Sequence, residues 1–263
     1  IASCLVGSEM CIRDSSLGSK VNPAIIYAAK KCGVKKIYRT GGAHSIAAFA
    51  YGTRSFQKVN KIVGPGNIYV ANAKKEVFGD VGIDMVAGPS EVTIVADKHA
   101  NPNWIASDLI AQAEHDILAQ SILITNNKNL IKSVNRGLGE QLNKLPKKNI
   151  ASRSLKKFGL AIYTSSKKNI VEIINTIAPE HLELNMKNNN EIIKKVKNAG
   201  SIFIGKFSPE AMGDYIAGPN HVLPTSGAAK FSSGLSVNDF LKRHSLIKIS
   251  KTGIERLGPS VIN

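Results

Sequence analysis

The chain has 263 residues, 43% of them hydrophobic, and a formal net charge of +16. That length and apolar content suit one large domain or two small ones with real cores. No apolar run reaches the length of a membrane span, no N-terminal segment has the make-up of a secretory signal, and Cys4, Cys11 and Cys32 show neither zinc-finger nor redox spacing, so a reduced, cytoplasmic protein is expected.

In chain order, residues 1–16 have no clear period and do not lead into the first helix. Asn22-Pro23 predicts a helix start and Gly33 its end. Lys36–Arg39 reads as a short strand, Gly41-Gly42 as a turn into a helix around Ile46–Tyr51, and Lys61–Val63 as a strand meeting Gly64-Pro65-Gly66 before a helix opened by Asn67. Ile83–Val86 reads as extended and Glu91–Ala96 as a β-branched strand. Next are a helix from Asn101-Pro102 to Glu114, a strand over Ser121–Thr125 and a helix over Leu130–Leu142. Then come a strand over Leu160–Thr164, a helix around Val171–Ile177 and a strand over Ser201–Ile204. Such alternation predicts α/β units around mostly parallel sheets.

The excess of lysine would suit a nucleic-acid binder. The lysines are instead scattered in pairs such as Lys30-Lys31, Lys35-Lys36 and Lys194-Lys195, with no Arg-rich arm and only 6% aromatic residues to stack on bases. Neither a nucleic-acid nor a membrane partner is expected; weak attraction for an anionic ligand such as a dinucleotide is.

Four segments hold polar residues that apolar packing does not explain. In Ile83–Glu91, a Gly-Pro turn presents Ser90 at a sheet edge of the kind where α/β proteins bind ligands, though a plain turn would look the same. In Ser107–His115, Gln112 and His115 are three apart and share a helix face. Imidazole with an amide oxygen can hold zinc; a histidine at a helix C-terminus is also a common structural use. In Ala178–Glu183, proline ends a helix and leaves a loop bearing Glu180 and His181, a general base able to work near neutral pH or an ordinary charged loop. In Ser208–Thr225, Asp214 is a candidate metal or substrate carboxylate and His221 a candidate supporting group, within a loop dense enough in Gly, Pro and Asn for a purely conformational role instead.

The stretches IDMVAGPSEV, SDLIAQAEH, APEHLE and SPEAMGDYIAGPNHVLPT, with GPGN at Gly64–Asn67, stand in one order from about Val21 onward. In these motifs the chain resembles histidinol dehydrogenases. The resemblance implies an α/β fold of two Rossmann-like parallel-sheet globules with a C-terminal helical arm, incomplete at both ends. Residues 1–20 would be a leader outside the family, 21–89 the first globule (NAD side), 90–235 the second (zinc and substrate side) and 236–263 the start of a dimerisation arm. It implies one Zn2+ per site on Gln112, His115 and Asp214, and catalysis by Glu180 and His181. Substrate contacts would come from Ser90, Gln112, His115, His181 and Asp214, and NAD contacts from Asn67 and His44. His44 stands where the family often has Gln. A second zinc histidine, a substrate glutamate and an NAD-contacting tyrosine are expected outside these 263 residues, so the chain alone is expected to be inactive. The implied reaction is the four-electron oxidation of L-histidinol to L-histidine with two NAD, through a bound aldehyde, in a homodimer with shared sites. Two rivals remain: a zinc hydrolase using the same metal ligands and Glu180 with no nucleotide, and a basic nucleic-acid-binding domain, which would need a clustered positive face. Neither explains the co-occurring motifs.

Overall fold

The structure is a computed structural model and describes residues 9–11, 22–146, 148–220 and 222–262. His221 and most of the 1–20 stretch lie outside the described residues.

The first half is built from short elements: β1 (Glu9–Cys11), α1 (Pro23–Lys31), β2 (Lys36–Tyr38), α2 (Ala43–Tyr51), β3 (Lys61–Ile62), α3 (Ile68–Glu76) and β4 (Gly82–Ile83). Strand β1 pairs in parallel with β2, and β3 with β4. Asn22 caps α1 by accepting from the Ala24 N–H, with proline in its first turn, and Asn67 caps α3 by accepting from the Val70 N–H. A small core joins Ile46 and Ala50 of α2 to Val77 and Val81. Beside it Tyr38, Phe49 and Phe56 pack with ring centroids 4.6–5.4 Å apart.

The second half is a five-stranded, all-parallel sheet. Its elements are β5 (Glu91–Ala96), α4 (Pro102–Ala113), β6 (Gln120–Thr125), α5 (Lys128–Leu142), α6 (Lys148–Phe158), β7 (Gly159–Tyr163), α7 (Lys167–Ile177), β8 (His181–Asn185), α8 (Asn190–Ile193) and β9 (Ser201–Ile204). The strand order is β7-β6-β5-β8-β9, a doubly wound arrangement that reverses direction between β5 and β8. Side chains alternate across β5 and so feed two cores. Val92, Ile94 and Ala96 pack with Ile105, Leu109, Leu130 and Val134. Val95 packs with Ile170, Ile174, Leu182 and Leu184. Helices on both faces explain why β5 and β6 are near-continuous apolar runs. The chain continues through α9 (Glu210–Tyr215) to α10 (Lys251–Leu257) and α11 (Pro259–Ile262).

Most element positions match the sequence reading within a residue or two at their ends; α2 and α7 start three or four residues earlier than read, β4 ends three earlier, and two further segments take a different form. The Ala178–Glu183 segment is not a solvated loop, because His181 opens β8, whose five residues are all buried. Ser208–Tyr215 is not an irregular loop either, since Glu210–Tyr215 is helical. Helix α6 and strand β8 had no counterpart among the predicted elements. Among the described residues no helix is long and apolar enough to cross a membrane.

Candidate active site

Strand register places the first two groups. Val92 of β5 stands opposite His181 of β8, so Ser90-Glu91 and Glu180-His181 lie side by side where these neighbouring strands begin. This is the amino-terminal edge of the sheet. The expectation that Ser90 would sit at the customary ligand edge is therefore corrected, since open α/β sheets usually bind ligands at the carboxyl ends of their strands.

The backbone of Glu91 holds both neighbours. Its N–H donates to Glu180 Oε2 at 2.9 Å, and its carbonyl lies 3.1 Å from His181 Nδ1. A carbonyl only accepts, so Nδ1 carries the proton and, in the neutral ring, Nε2 is the basic nitrogen. Nε2 faces Asp214 Oδ1 at 3.9 Å, while Nδ1 lies 3.6 Å from Glu180 Oε2 and 3.8 Å from Glu210 Oε1. Glu180, His181 and Glu210 are all buried.

Two helix ends complete the site. Helix α4 stops at Ala113, leaving His115 exposed just beyond it. Helix α9 carries Glu210 and Asp214 four residues apart, hence on one face. Gly213 lets this helix approach β9, for a Cβ there would come within 2.6 Å of the Phe203 ring. One donor atom each from His115, Glu210 and Asp214 lie within 4.8 Å of one another, an arrangement that can hold a cation with nitrogen and oxygen donors. One turn before His115, Gln112 is fully buried, and neither its amide oxygen nor its nitrogen has a partner among the described residues. A buried amide left bare costs about 1–3 kcal/mol. A buried amide oxygen with no hydrogen-bond donor is able to ligate a cation, so the residues present fit a bound metal.

The carboxylates strain against one another. Burial, then the nearby Glu210, Glu91 and Asp214, push the Glu180 carboxyl up to about 8, against the Glu91 N–H that favours its charged form. Burial raises Glu210 to about 8, with Asp214 and Asp108 adding to it. Glu183 goes to about 9 by burial and the charge of Asp108, although it accepts the Glu210 N–H at 2.8 Å. Each ordinarily titrates at 4.5. Between that value and about 8 the folded chain therefore binds more protons than the unfolded chain, so its stability falls as pH rises through the window. We expect the melting temperature of the metal-free chain to drop between pH 5 and 8, by roughly 2–4 °C per kcal/mol lost. An added divalent cation should flatten the slope. Calorimetry checks this, and a flat metal-free profile would contradict it.

Of the residues singled out in the sequence, Ser90, His115, Glu180, His181 and Asp214 line one cavity of about 280 Å³, together with Glu210, Pro65 and Gly66. Gln112 is not part of that lining. His44, at the start of α2, and Asn67, capping α3, are exposed and also lie outside it. The sequence reading missed Glu210, although its spacing from Asp214 was the available signal. It also missed the supporting pair Glu183–Asp108, for which only the alternation of His181 and Glu183 on one face of a strand gave a hint.

The sequence model of the family described as Histidinol dehydrogenase matches residues 6–263. The chain is 61% identical over 244 residues to the histidinol dehydrogenase of Pelagibacter ubique (strain HTCC1062), covering 92% of this chain and 57% of that protein. It is 52% identical over 242 residues to that of Listeria monocytogenes serovar 1/2a, with the same coverages. The crystal structure of histidinol dehydrogenase from Elizabethkingia anophelis superposes with a TM-score of 0.89 at 37% identity, over 96% of this chain and 65% of that one. The chain thus spans 57% of the length of these curated relatives.

Proposed function

Because the chain belongs to the histidinol dehydrogenase family, we propose that it carries the central part of an enzyme that oxidises L-histidinol to L-histidine, the last step of histidine biosynthesis, in two NAD-linked steps. The reading rests above all on one observation: His115, Glu180, His181 and Asp214, from three separate parts of the chain, meet in one cavity.

Gln112, His115 and Asp214 would hold zinc, with Glu210 beside them. A bound zinc ion supplies Lewis acidity and a fixed anchor for the amine and imidazole of the substrate. NAD supplies the hydride acceptor, one molecule for each oxidation. His181, its Nδ1–H fixed on the Glu91 carbonyl, takes the alcohol proton at Nε2. Ser90, just before β5, contacts the substrate across the cavity. The cavity holds the aldehyde between the two oxidations. Glu180 then takes a proton from the water that adds to the aldehyde. That step needs its charged form, which a cation beside the acidic cluster favours. Asn67 and His44 would contact NAD from the first globule.

Residues 21–89 and 90–235 would be the two globules, and 236–263 an arm reaching a second subunit. Leu246, Ile247, Val261 and Ile262 are more than 80% exposed, which suits burial against a partner chain in a homodimer with shared sites.

The direct test is histidinol-dependent NADH formation by a polypeptide of full family length containing this chain. Chelator should abolish it and zinc restore it. Absence of NADH formation with metal-dependent hydrolysis in its place would overturn the reading. Glu180→Gln is expected to slow aldehyde oxidation far more than alcohol oxidation. Equal slowing of both would remove Glu180 from the water-activating role.

A further inference from the structure

The first globule contains a buried ion pair that this reaction does not use. Lys74 of α3 and Asp84, just after β4, have side chains only 2% and 1% exposed and are in direct contact. Both also hold Gly64. Lys74 Nζ donates to the Gly64 carbonyl at 3.0 Å, and the Gly64 N–H donates to Asp84 Oδ2 at 2.7 Å. Gly64 has φ +115°, a conformation that a side chain would resist, so the turn is glycine by necessity and fixed on both its polar groups.

The neighbours of Gly64 along the chain explain why such a fixture is of use. Pro65 and Gly66 are walls of the cavity that contains His181 and Asp214. Asn67 caps α3, the helix that carries Lys74. On the other side, Asp84 leads into Met85, Ala87, Gly88 and Ser90, which line the same cavity. The pair therefore ties two stretches of cavity wall to each other and to a helix start. Buried ion pairs often stabilise a fold no better than apolar residues of the same size, because desolvating two charges offsets their attraction. In some proteins such pairs instead specify one arrangement, and here both partners bond to one loop residue.

We propose that the Lys74–Asp84 pair is a positioning device that holds the Gly64–Asn67 loop where NAD meets the cavity. This rests on the reading of Asn67 as a dinucleotide contact. Lys74→Met alone would leave Asp84 buried and unpaired and would endanger folding. The double variant Lys74→Met/Asp84→Asn removes both charges, keeps the volume and retains an acceptor for the Gly64 N–H.

In the polypeptide of full family length, the double variant should melt near the parent and keep its zinc affinity. It should bind NAD about tenfold or more weakly, as expected for loss of a preorganised loop. NAD affinity within about twofold of the parent, in a folded double variant, would overturn the proposal. Equal falls in NAD and zinc affinity would also overturn it, by exposing a general loss of structure. A parent that forms no complex with NAD would instead refute the dinucleotide reading, and this proposal with it.

Discussion

Replacing His181 with asparagine is expected to slow both oxidations by about 10²–10⁴-fold, the usual contribution of a positioned general acid–base group. The variant is informative because the site is built around the ring's far nitrogen. An asparagine amide can still donate to the Glu91 carbonyl, the bond that now orients His181 Nδ1, so the strand pairing and the buried environment survive. What disappears is the basic Nε2 facing Asp214. Alcohol and aldehyde should be affected in similar proportion, with smaller changes in KM. Steady-state rates with each substrate check this, and a loss below about tenfold for either would show that another group moves the proton.

Asp214→Ala should weaken zinc binding by more than about 100-fold, since loss even of an outer partner of a metal ligand costs 10–100-fold. Competition with a chromophoric chelator measures it. Gln112→Leu offers the sharper companion. Its amide is buried with no partner among the described residues, so an apolar side chain of similar size should raise the melting temperature of the metal-free chain while lowering metal affinity. Stabilisation with affinity unchanged would mean that Gln112 is merely an unsatisfied group. Destabilisation would mean that the amide has a structural role.

The alternating architecture was readable because helix caps and β-branched runs announce themselves locally. Asn22, Asn67 and Asn101 each cap the helix they were expected to open, and β9 falls on the residues anticipated. Strand β8 was hidden because its sequence, HLELN, places acid and imidazole in a buried strand where tertiary contacts override local preference. Helix α6 was hidden by its lysines and serines, for only Ala151 and Ser154 are buried. At the site, motif order indicated which residues to watch. It could not show that Glu210 would join His115 and Asp214, nor that the residues of interest would gather at the amino-terminal edge of the sheet. The first depends on where α9 packs against the end of α4; the second comes from the pairing of β5 with β8, a contact between segments some ninety positions apart.

That Glu180 and His181 are both tethered to main-chain atoms of one residue has an evolutionary corollary. Exchange of the side chain at position 91 gives up the bond from the Ser226 N–H to its carboxylate but leaves the two main-chain tethers in place, so the surroundings of acid and base can change without separating them. Only a slip of one strand past the other could part the pair. Such a slip would turn every apolar residue of a central strand to the wrong face, so the geometry of the chemistry is protected by the same force that folds the domain.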